Sequence, residues 1–489
     1  MAYRVSILCL ALCFVVSATR QAIGGESTLV VALNADDDNN NGVRDCDEPT
    51  VPGDDDYVRL PLPLPPGDEP AIHVGGPPPD AIKVHPGADG VYVEARRPAD
   101  ALWDGRFSIL VTAEDGKTQR IAGRVAPLLV QSSLDRARTV FVREFPGRND
   151  RLIAQLREIC TAAEAELHVV PSEGRYAYNH IWLQDTVEFL EASGGAKPMT
   201  VALAGVRNRA LDLFARDRLL GPGVGYVRVG EYRNRFAEGE SGVSWIDWFG
   251  NLEASPPTAA RPNGCVLYGI DAEREAQLHP EVVALLGAQG VQSLVPLDVG
   301  WLTIKHTDEM VSFIPAKDGG FLVLVPDPTV ALAVLREAQA AGQGATALLD
   351  VFEEGVTIDT LLADTAFVEA NERLWRERIE PMSRELLAGI GANADQLRRM
   401  PVLFNAAGTP RTPNVVNCLV LPGADGVAGH VAMADPNGPI VDGVDLWQAE
   451  TQKRLADAAA TLHFVDDRQY HKWSGNVHCA TNAIRPLVD

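Results

Sequence analysis

Gly475-Asn-Val-His-Cys-Ala-Thr-Asn482 sets a histidine beside a cysteine inside an apolar run, where a polar group costs free energy unless it is paired. Trp182-Leu-Gln-Asp-Thr-Val-Glu188, Phe249-Gly-Asn-Leu-Glu253 and Lys305-His-Thr-Asp-Glu-Met310 share that character. Packing alone requires none of the four. Read as extended strand, His306 and Asp308 turn to one side, so a base and a carboxylate share a surface. His478 and Cys479 are adjacent and in the same reading point to opposite faces. If Cys479 is a nucleophile, its acid/base partner then comes from elsewhere, and His306 is the candidate. A thiol at its ordinary pKa of ~8.5 is mostly protonated at neutral pH and needs positive charge or a base nearby to react.

Outward from these segments the chain divides into two patterns. Residues 27–124 carry short alternating runs, among them Thr28-Leu-Val-Val-Ala-Leu33, Val91-Tyr-Val-Glu-Ala95 and Phe107-Ser-Ile-Leu-Val-Thr112. Broken by proline and glycine, they predict a β-sandwich. The proline-rich stretch 61–79 reads as loop or edge, since proline cannot donate to an interior ladder. From residue 125 strands interleave with helices: 150–164 sets Leu152, Ile153, Leu156, Ile159 and Cys160 on one face, and 329–341 and 366–387 read similarly. The second unit is therefore α/β, and no repeat period is visible in the sequence. Residues 1–25, 26–124 and 125–489 are the expected divisions.

The first of these reads as a cleaved export signal. Arg4 precedes the apolar run Val5-Ser-Ile-Leu-Cys-Leu-Ala-Leu-Cys-Phe-Val-Val16 and then Ser17-Ala18. The run is shorter than the ~20 residues that span a bilayer, so the expectation is a secreted protein without a membrane anchor. A formal charge of −23 argues against binding the phosphates of nucleic acid. Once Cys9 and Cys13 leave with the signal, Cys46, Cys160, Cys265, Cys418 and Cys479 remain, an odd number that forces at least one free or intermolecular thiol.

In this order and spacing, the four segments resemble the catalytic domain of the protein-arginine deiminases, guanidino-modifying (pentein) enzymes built as a five-fold pseudosymmetric α/β propeller. Val125-Ala-Pro-Leu-Leu129, Arg207-Asn-Arg209, Val224-Gly-Tyr226, residues 249–257 and 306–315, Pro413-Asn-Val-Val-Asn417 and residues 464–482 carry the resemblance further. It implies an immunoglobulin-like sandwich before the propeller, and a secreted short form without the additional N-terminal domain of the animal members. By position, Cys479 matches the nucleophile, His306 the general acid/base, and Asp185 and Asp308 the carboxylates that grip a guanidinium. Trp182 matches the aromatic on the arginine stem, and Arg209 a residue that hydrogen-bonds the peptide backbone. Carboxylates suit a planar cation with a fork of N–H donors. The implied reaction converts peptidyl arginine to citrulline in arginine-containing peptides or proteins, by a monomer.

Calcium (Ca2+) is also implied. Gln184, Glu188 and Glu253 with the carbonyls of Phe249 and Leu252 match one site of the family. A second nearby ion is not expected, because Thr186, Ala204 and Gly205 stand beside Asn208 where its ligands would be. In the first domain Asn34, Asp36, Asp38 and Asp45 match a calcium cluster, with one of Asp54 to Asp56. The same stretch also fits a calcium-loop pattern from Asp37 through Asn39, Asn41 and Gly42 to Glu48, but its flanks are not helical. Trp473 and Ile181 replace arginines of the animal enzymes. Two rival readings remain: a deiminase of free arginine or another small guanidine, and an inactive calcium-binding protein. Retention of Cys479, His306, Asp185 and Asp308 together argues against the latter.

Overall fold

The computed structural model describes residues 21–485 apart from 24–25, 49–56, 61–70, 88–89, 113–117, 175–179, 193–197, 234–244, 351 and 425–426. The apolar run of the export signal and Asp54 to Asp56 lie outside the described residues.

The alternating runs near the N-terminus form two sheets. One is ordered Gln21–Ile23, Glu26–Val31, Thr118–Val125, Arg106–Thr112 and Ala71–Gly75; the other is Tyr57–Leu60, Gly90–Ala95 and Ile82–Gly87. Leu29, Val31, Ile109 and Val111 of the first meet Leu60, Val91, Val93 and Ala95 of the second in one apolar core. Period-2 alternation turns one side of each strand inward and gives a sandwich. Ala71–Gly75, within the proline-rich stretch though itself free of proline, is an edge strand. The hairpin partner Gln21–Ile23 lies within residues 1–25.

Beyond residue 125 five small sheets repeat one plan. The central strands are Thr139–Arg143, Met199–Ala204, Cys265–Asp271, Phe321–Asp327 and Gly429–Ala434. Each pairs in parallel with a later strand: Glu166–Val170, Val224–Val227, Ser293–Asp298, Leu397–Pro401 and Ala460–Val465 respectively. Each also has an antiparallel neighbour on its other side: Thr481–Ile484, Val187–Ala192, Leu252–Ala254, Ser312–Pro315 and Leu419–Leu421. The first sheet thus takes its antiparallel strand from the C-terminus, so the chain closes on itself. Arg485, buried, fastens the closure by donating to the carbonyls of Ser133, Asp135 and Val420 at 3.0, 2.7 and 2.8 Å.

Local chemistry fixes the crossovers. In Asp150–Ala162 the five residues on the expected apolar face are buried. Pro328–Ala338 begins with Pro328 in its first turn and the Asp327 carboxylate accepting from Thr329 N. The helical stretch expected at 366–387 is Thr365–Leu374 and Glu380–Ile390 joined by one wide turn, Trp375–Ile379. Pro381 accounts for that turn, since it cannot donate to the carbonyl one turn back. No helix among the described residues is long and apolar enough to cross a membrane. Cys46, Cys160, Cys265, Cys418 and Cys479 are all free and buried.

Candidate active site

Two local turns differ from the strand reading and make the site. Lys305 adopts a left-handed φ of 59°, its ammonium held 2.8 Å from Asp271 and 2.5 Å from the Gly300 carbonyl. Thr307–Glu309 then coils into a 3-10 turn with His306 at its head, not an extended strand. Met310 N and Val311 N both donate to the Thr307 carbonyl and close it. His306 and Asp308 therefore do not share a strand face. His306 Nε2 donates to the Trp245 carbonyl at 2.9 Å, and its Nδ1 is turned to Asp185 Oδ1, 3.6 Å away.

Val477–Ala480 is likewise a short helical turn. Asn417 Oδ1 accepts from the backbone N–H of both His478 and Cys479, at 2.9 and 3.2 Å, and curls the chain. His478 and Cys479 consequently meet the same carboxylate instead of facing apart. Cys479 Sγ donates to Asp308 Oδ2 at 3.2 Å and His478 Nδ1 lies 3.1 Å from that oxygen. With its Oδ1 occupied by two N–H donors, the Asn417 amide must present Nδ2 to the sulfur, at 3.1 Å.

His306, Asp185, Asp308 and Cys479 are each at most 3% exposed. His306 Nδ1 and Asp308 Oδ1 have no hydrogen-bond partner, a costly state for buried polar atoms. Burial raises the Asp185 carboxyl against the opposing pull of His306 and Arg207. Burial, then the charges of Asp308, Glu309 and Asp185, push the Cys479 thiol well above its ordinary value. A cation placed on the two aspartates reverses that charge effect.

Trp182 is half-buried and packs edge-on against Tyr470, with centroids 5.5 Å apart. Gly475 separates it from Cys479: a Cβ there would lie 2.6 Å from Trp182 Cζ3 and 3.3 Å from Cys479 Cβ. Arg209 donates its backbone N–H to Asp212 Oδ2 at 3.1 Å, and its Nε has no partner. Arg207, two residues earlier, is the cation beside the site. Its Nη1 is 3.9 Å from Asp185 Oδ2, its Nε bonds Asp212 Oδ1 at 2.8 Å, and its Nη2 donates to Thr186 Oγ1 at 2.7 Å. Trp473, 42% exposed, packs at a tilt against Phe145 under Arg148, whereas Ile181 is buried.

The expected calcium ligands lie next to these groups. Gln184 Nε2 donates to Glu188 Oε2 at 3.0 Å and reaches the Phe249 carbonyl at 3.5 Å. Burial, then Glu253, drives the Glu188 carboxyl well above the usual range, and burial pushes Glu253 to about 7. Two buried carboxylates, of which Glu253 raises Glu188, beside an amide and carbonyls are a donor set fit for a hard cation, with Leu252 buried at the same turn. His478 joins the two sites, since its Nε2 is 3.5 Å from Glu253 Oε1. Burial opposes its charge, but Glu253 and Asp308 outweigh that and raise its pKa. Among the described residues, the one cluster of three His, Cys, Asp or Glu side chains close enough to chelate is Asp308, Glu309 and Cys479.

In the first domain the acidic loop folds back on itself. Asp38 N donates to Asp45 Oδ2 at 2.9 Å, and Asp45 N to the Asp36 carbonyl at 2.8 Å. Asn34 is buried with Oδ1 unpartnered, while its Nδ2 donates to Glu94 Oε1 at 2.9 Å. That orphaned oxygen among carboxylates fits a cation, whereas the neighbouring Glu94 carboxylate is taken by Asn34, His85 and Arg96. Asp37 serves its own loop, accepting from Asn41 N and Gly42 N at 3.0 and 2.6 Å. Its flank is the short turn Asp45–Asp47. The loop also reaches the second unit, where Asp36 Oδ2 accepts from Gly223 N and the Ala35 carbonyl from Tyr226 N, both at 2.9 Å.

The sequence reading quoted Glu309, Asn414, Arg207, Gly250 and Asn417 within its blocks and gave none of them a role. Gly250 N donates to Asp185 Oδ1 at 3.3 Å, and a Cβ on it would overlap His306 Nδ1. The signal for Gly250 and Asn417 was their place within the quoted blocks.

The family model for protein-arginine deiminase (PAD) matches residues 116–489. Protein-arginine deiminase type-4 of Rattus norvegicus is 31% identical over 381 residues, covering 74% of this chain and 54% of that protein. Type-3 of Homo sapiens is 30% identical over 435 residues, 82% of this chain and 62% of its own length. The chain thus spans less than two thirds of these relatives' length. Among solved structures, agmatine deiminase of C. jejuni aligns with a TM-score of 0.41 at 10% identity, over 73% of this chain and 96% of that one.

Proposed function

Because the chain belongs to the protein-arginine deiminase family, we propose that it hydrolyses the guanidinium of peptidyl arginine to citrulline and ammonia through a covalent Cys479 adduct, in a calcium-dependent manner. The observation that carries this is the convergence of Asp185, Asp308, His306 and Cys479, buried together with unpartnered Asp308 Oδ1 and His306 Nδ1. A guanidinium supplies the donors and the positive charge those atoms lack.

In the proposed sequence Asp185 and Asp308 take the N–H fork of the substrate and hold its carbon towards Cys479 Sγ. Substrate charge on Asp308 draws that carboxylate away from the sulfur, and the thiol proton passes to the unpartnered His306 Nδ1. The thiolate forms the S–C bond, His306 gives a proton to the departing nitrogen, and ammonia leaves. His306 then takes a proton from water, the new C–O bond forms as the S–C bond breaks, and neutral citrulline loses its grip on the aspartates. Trp182 packs the aliphatic stem, and Arg209 takes the peptide carbonyl, which favours a peptide over free arginine. Calcium would be held by Gln184, Glu188, Glu253 and the carbonyls of Phe249 and Leu252. Bound there, it would steady the segment that carries Asp185.

We read the five sheets as blades of a pseudosymmetric propeller, on the strength of their common plan and the closing C-terminal strand. The two-sheet unit is read as immunoglobulin-like. The N-terminal apolar run supports export from the cell, and the protein is taken to act as a monomer.

The test is citrulline formation from a blocked arginine peptide and from free arginine, with calcium or chelator, beside Cys479→Ala. Calcium-dependent product from the peptide that vanishes in the variant supports the reading. Product from free arginine alone, or none with calcium and reductant present, overturns it.

A further inference from the structure

We propose that Asp308, Glu309 and Cys479 form a binding site for zinc, which holds the sulfur as a metal thiolate and excludes a guanidinium from Asp308. The site rests on the deiminase reading only for its consequence, inhibition.

One ligand atom from each of the three residues lies within 4.8 Å of the others, and all three residues are buried. Cys479 Sγ is 3.2 Å from Asp308 Oδ2 and 3.8 Å from Glu309 Oε1. In a tetrahedral zinc site, Zn–S of about 2.3 Å and Zn–O of about 2.0–2.2 Å set sulfur and oxygen about 3.5 Å apart. The two separations bracket that value, so shifts of about 0.3 Å let one ion reach both carboxylates and the sulfur. The fold aims these groups before any ion arrives. Asn414 Nδ2 donates to the Glu309 carbonyl at 2.8 Å and to Oε2 at 2.7 Å, which leaves Oε1 towards the sulfur. Asp308 is 1% exposed, and its Oδ1 is a buried oxygen with no hydrogen-bond partner, a state that a cation relieves. Asn417 Nδ2, 3.1 Å from the sulfur, supplies the N–H that steadies a metal-bound thiolate. The sulfur decides which metal enters. Calcium is held by oxygens, whereas thiolate ligands favour zinc. Calcium thus suits the proposed set at Gln184, Glu188 and Glu253, and zinc the cluster at Cys479. As the Sγ–zinc bond forms the thiol proton leaves to solvent, and no electron is transferred. Three protein ligands leave the fourth position to water.

The experiment is a calorimetric titration of zinc chloride into the full chain at saturating calcium, for wild type, Cys479→Ala, Glu309→Gln and Asp308→Asn. Wild type is expected to show one zinc site that Cys479→Ala lacks. Glu309→Gln keeps a carbonyl for the Asn414 donor but loses the charge, and it weakens that site roughly tenfold or more, as does Asp308→Asn. Isotherms that coincide for wild type and Cys479→Ala overturn the proposal. So does an unchanged zinc affinity in both carboxylate variants, since the sulfur would then bind alone. Should one carboxylate variant fail to fold, the other still decides, and Cys479→Ala removes only a sulfur from the packing. In the citrulline assay zinc should raise the apparent KM for an arginine peptide and leave kcat unchanged; zinc lowering kcat alone overturns the exclusion at Asp308. The titration needs no substrate, so a wild type that makes no citrulline overturns the deiminase reading while leaving the zinc site to its own test.

Discussion

Gly250→Ala is the most informative single perturbation, because one added carbon touches both the His306 imidazole and the Asp185 carboxylate. The new Cβ would overlap His306 Nδ1 and lie 2.9 Å from Asp185 Oδ1 and 3.1 Å from His306 Cε1. Optimal heavy-atom contacts are about 3.5–4.0 Å, so the imidazole must retreat by about 1 Å. His306 is not free to do so, since its Nε2 is tied to the Trp245 carbonyl. A displacement of about 1 Å at reacting groups costs about 10²-fold, equivalent to about 2.7 kcal/mol in the barrier. Overpacking costs about 1–3 kcal/mol in stability. Initial rates of citrulline formation at saturating calcium, with thermal unfolding in parallel, read both. The expected result is kcat lowered about 100-fold with KM changed far less, and a lower Tm. A variant that keeps a third of wild-type kcat while folding normally would refute the claim that Gly250 sets the distance between His306 and Asp185.

Three further outcomes follow from the same geometry. Asn417→Ala removes a donor to the sulfur and the cap that curls residues 477–480, so kcat falls at least tenfold, since a charge-assisted bond is worth roughly 1.5–3 kcal/mol; an unchanged kcat refutes the role. Glu253→Gln takes one carboxylate from the proposed calcium set, so the calcium concentration for half-maximal rate rises at least tenfold, about 1.4 kcal/mol; a calcium titration of wild type and variant checks this, and coincident curves refute it. Burial pushes the Asp467 carboxyl up to about 8, so the folded protein holds a proton that the unfolded chain releases above about pH 3.9. Its stabilisation is complete below that pH and declines by about 1.4 kcal/mol per pH unit until pH 8. Asp467→Asn should therefore show a shallower fall of Tm between pH 5 and 8 than wild type, and equal slopes in calorimetry would refute the burial argument.

The helix at residues 150–162 and the sandwich strands were legible because their cause is local: apolar residues at a period of 3.6 or 2 turn one side of a short segment inward, whatever the rest of the chain does. The chemistry-bearing segments were legible as well, since histidine, cysteine and carboxylates inside apolar runs demand partners. Which partners they find was not. His306 and Asp308 left the strand face read for them because Lys305 turns left-handed on Asp271. His478 and Cys479 came to one carboxylate because Asn417, about sixty positions away in the chain, takes both of their backbone donors. Five sheets share one plan that no sequence period announces, since strand order requires only alternation and crossover length, and many sequences supply both. The sequence by itself thus determined the elements and the reactive side chains. Tertiary structure decided their distances, because hydrogen bonds and steric limits such as those of Gly250 and Asn414 act between residues that meet only after the chain has closed on itself.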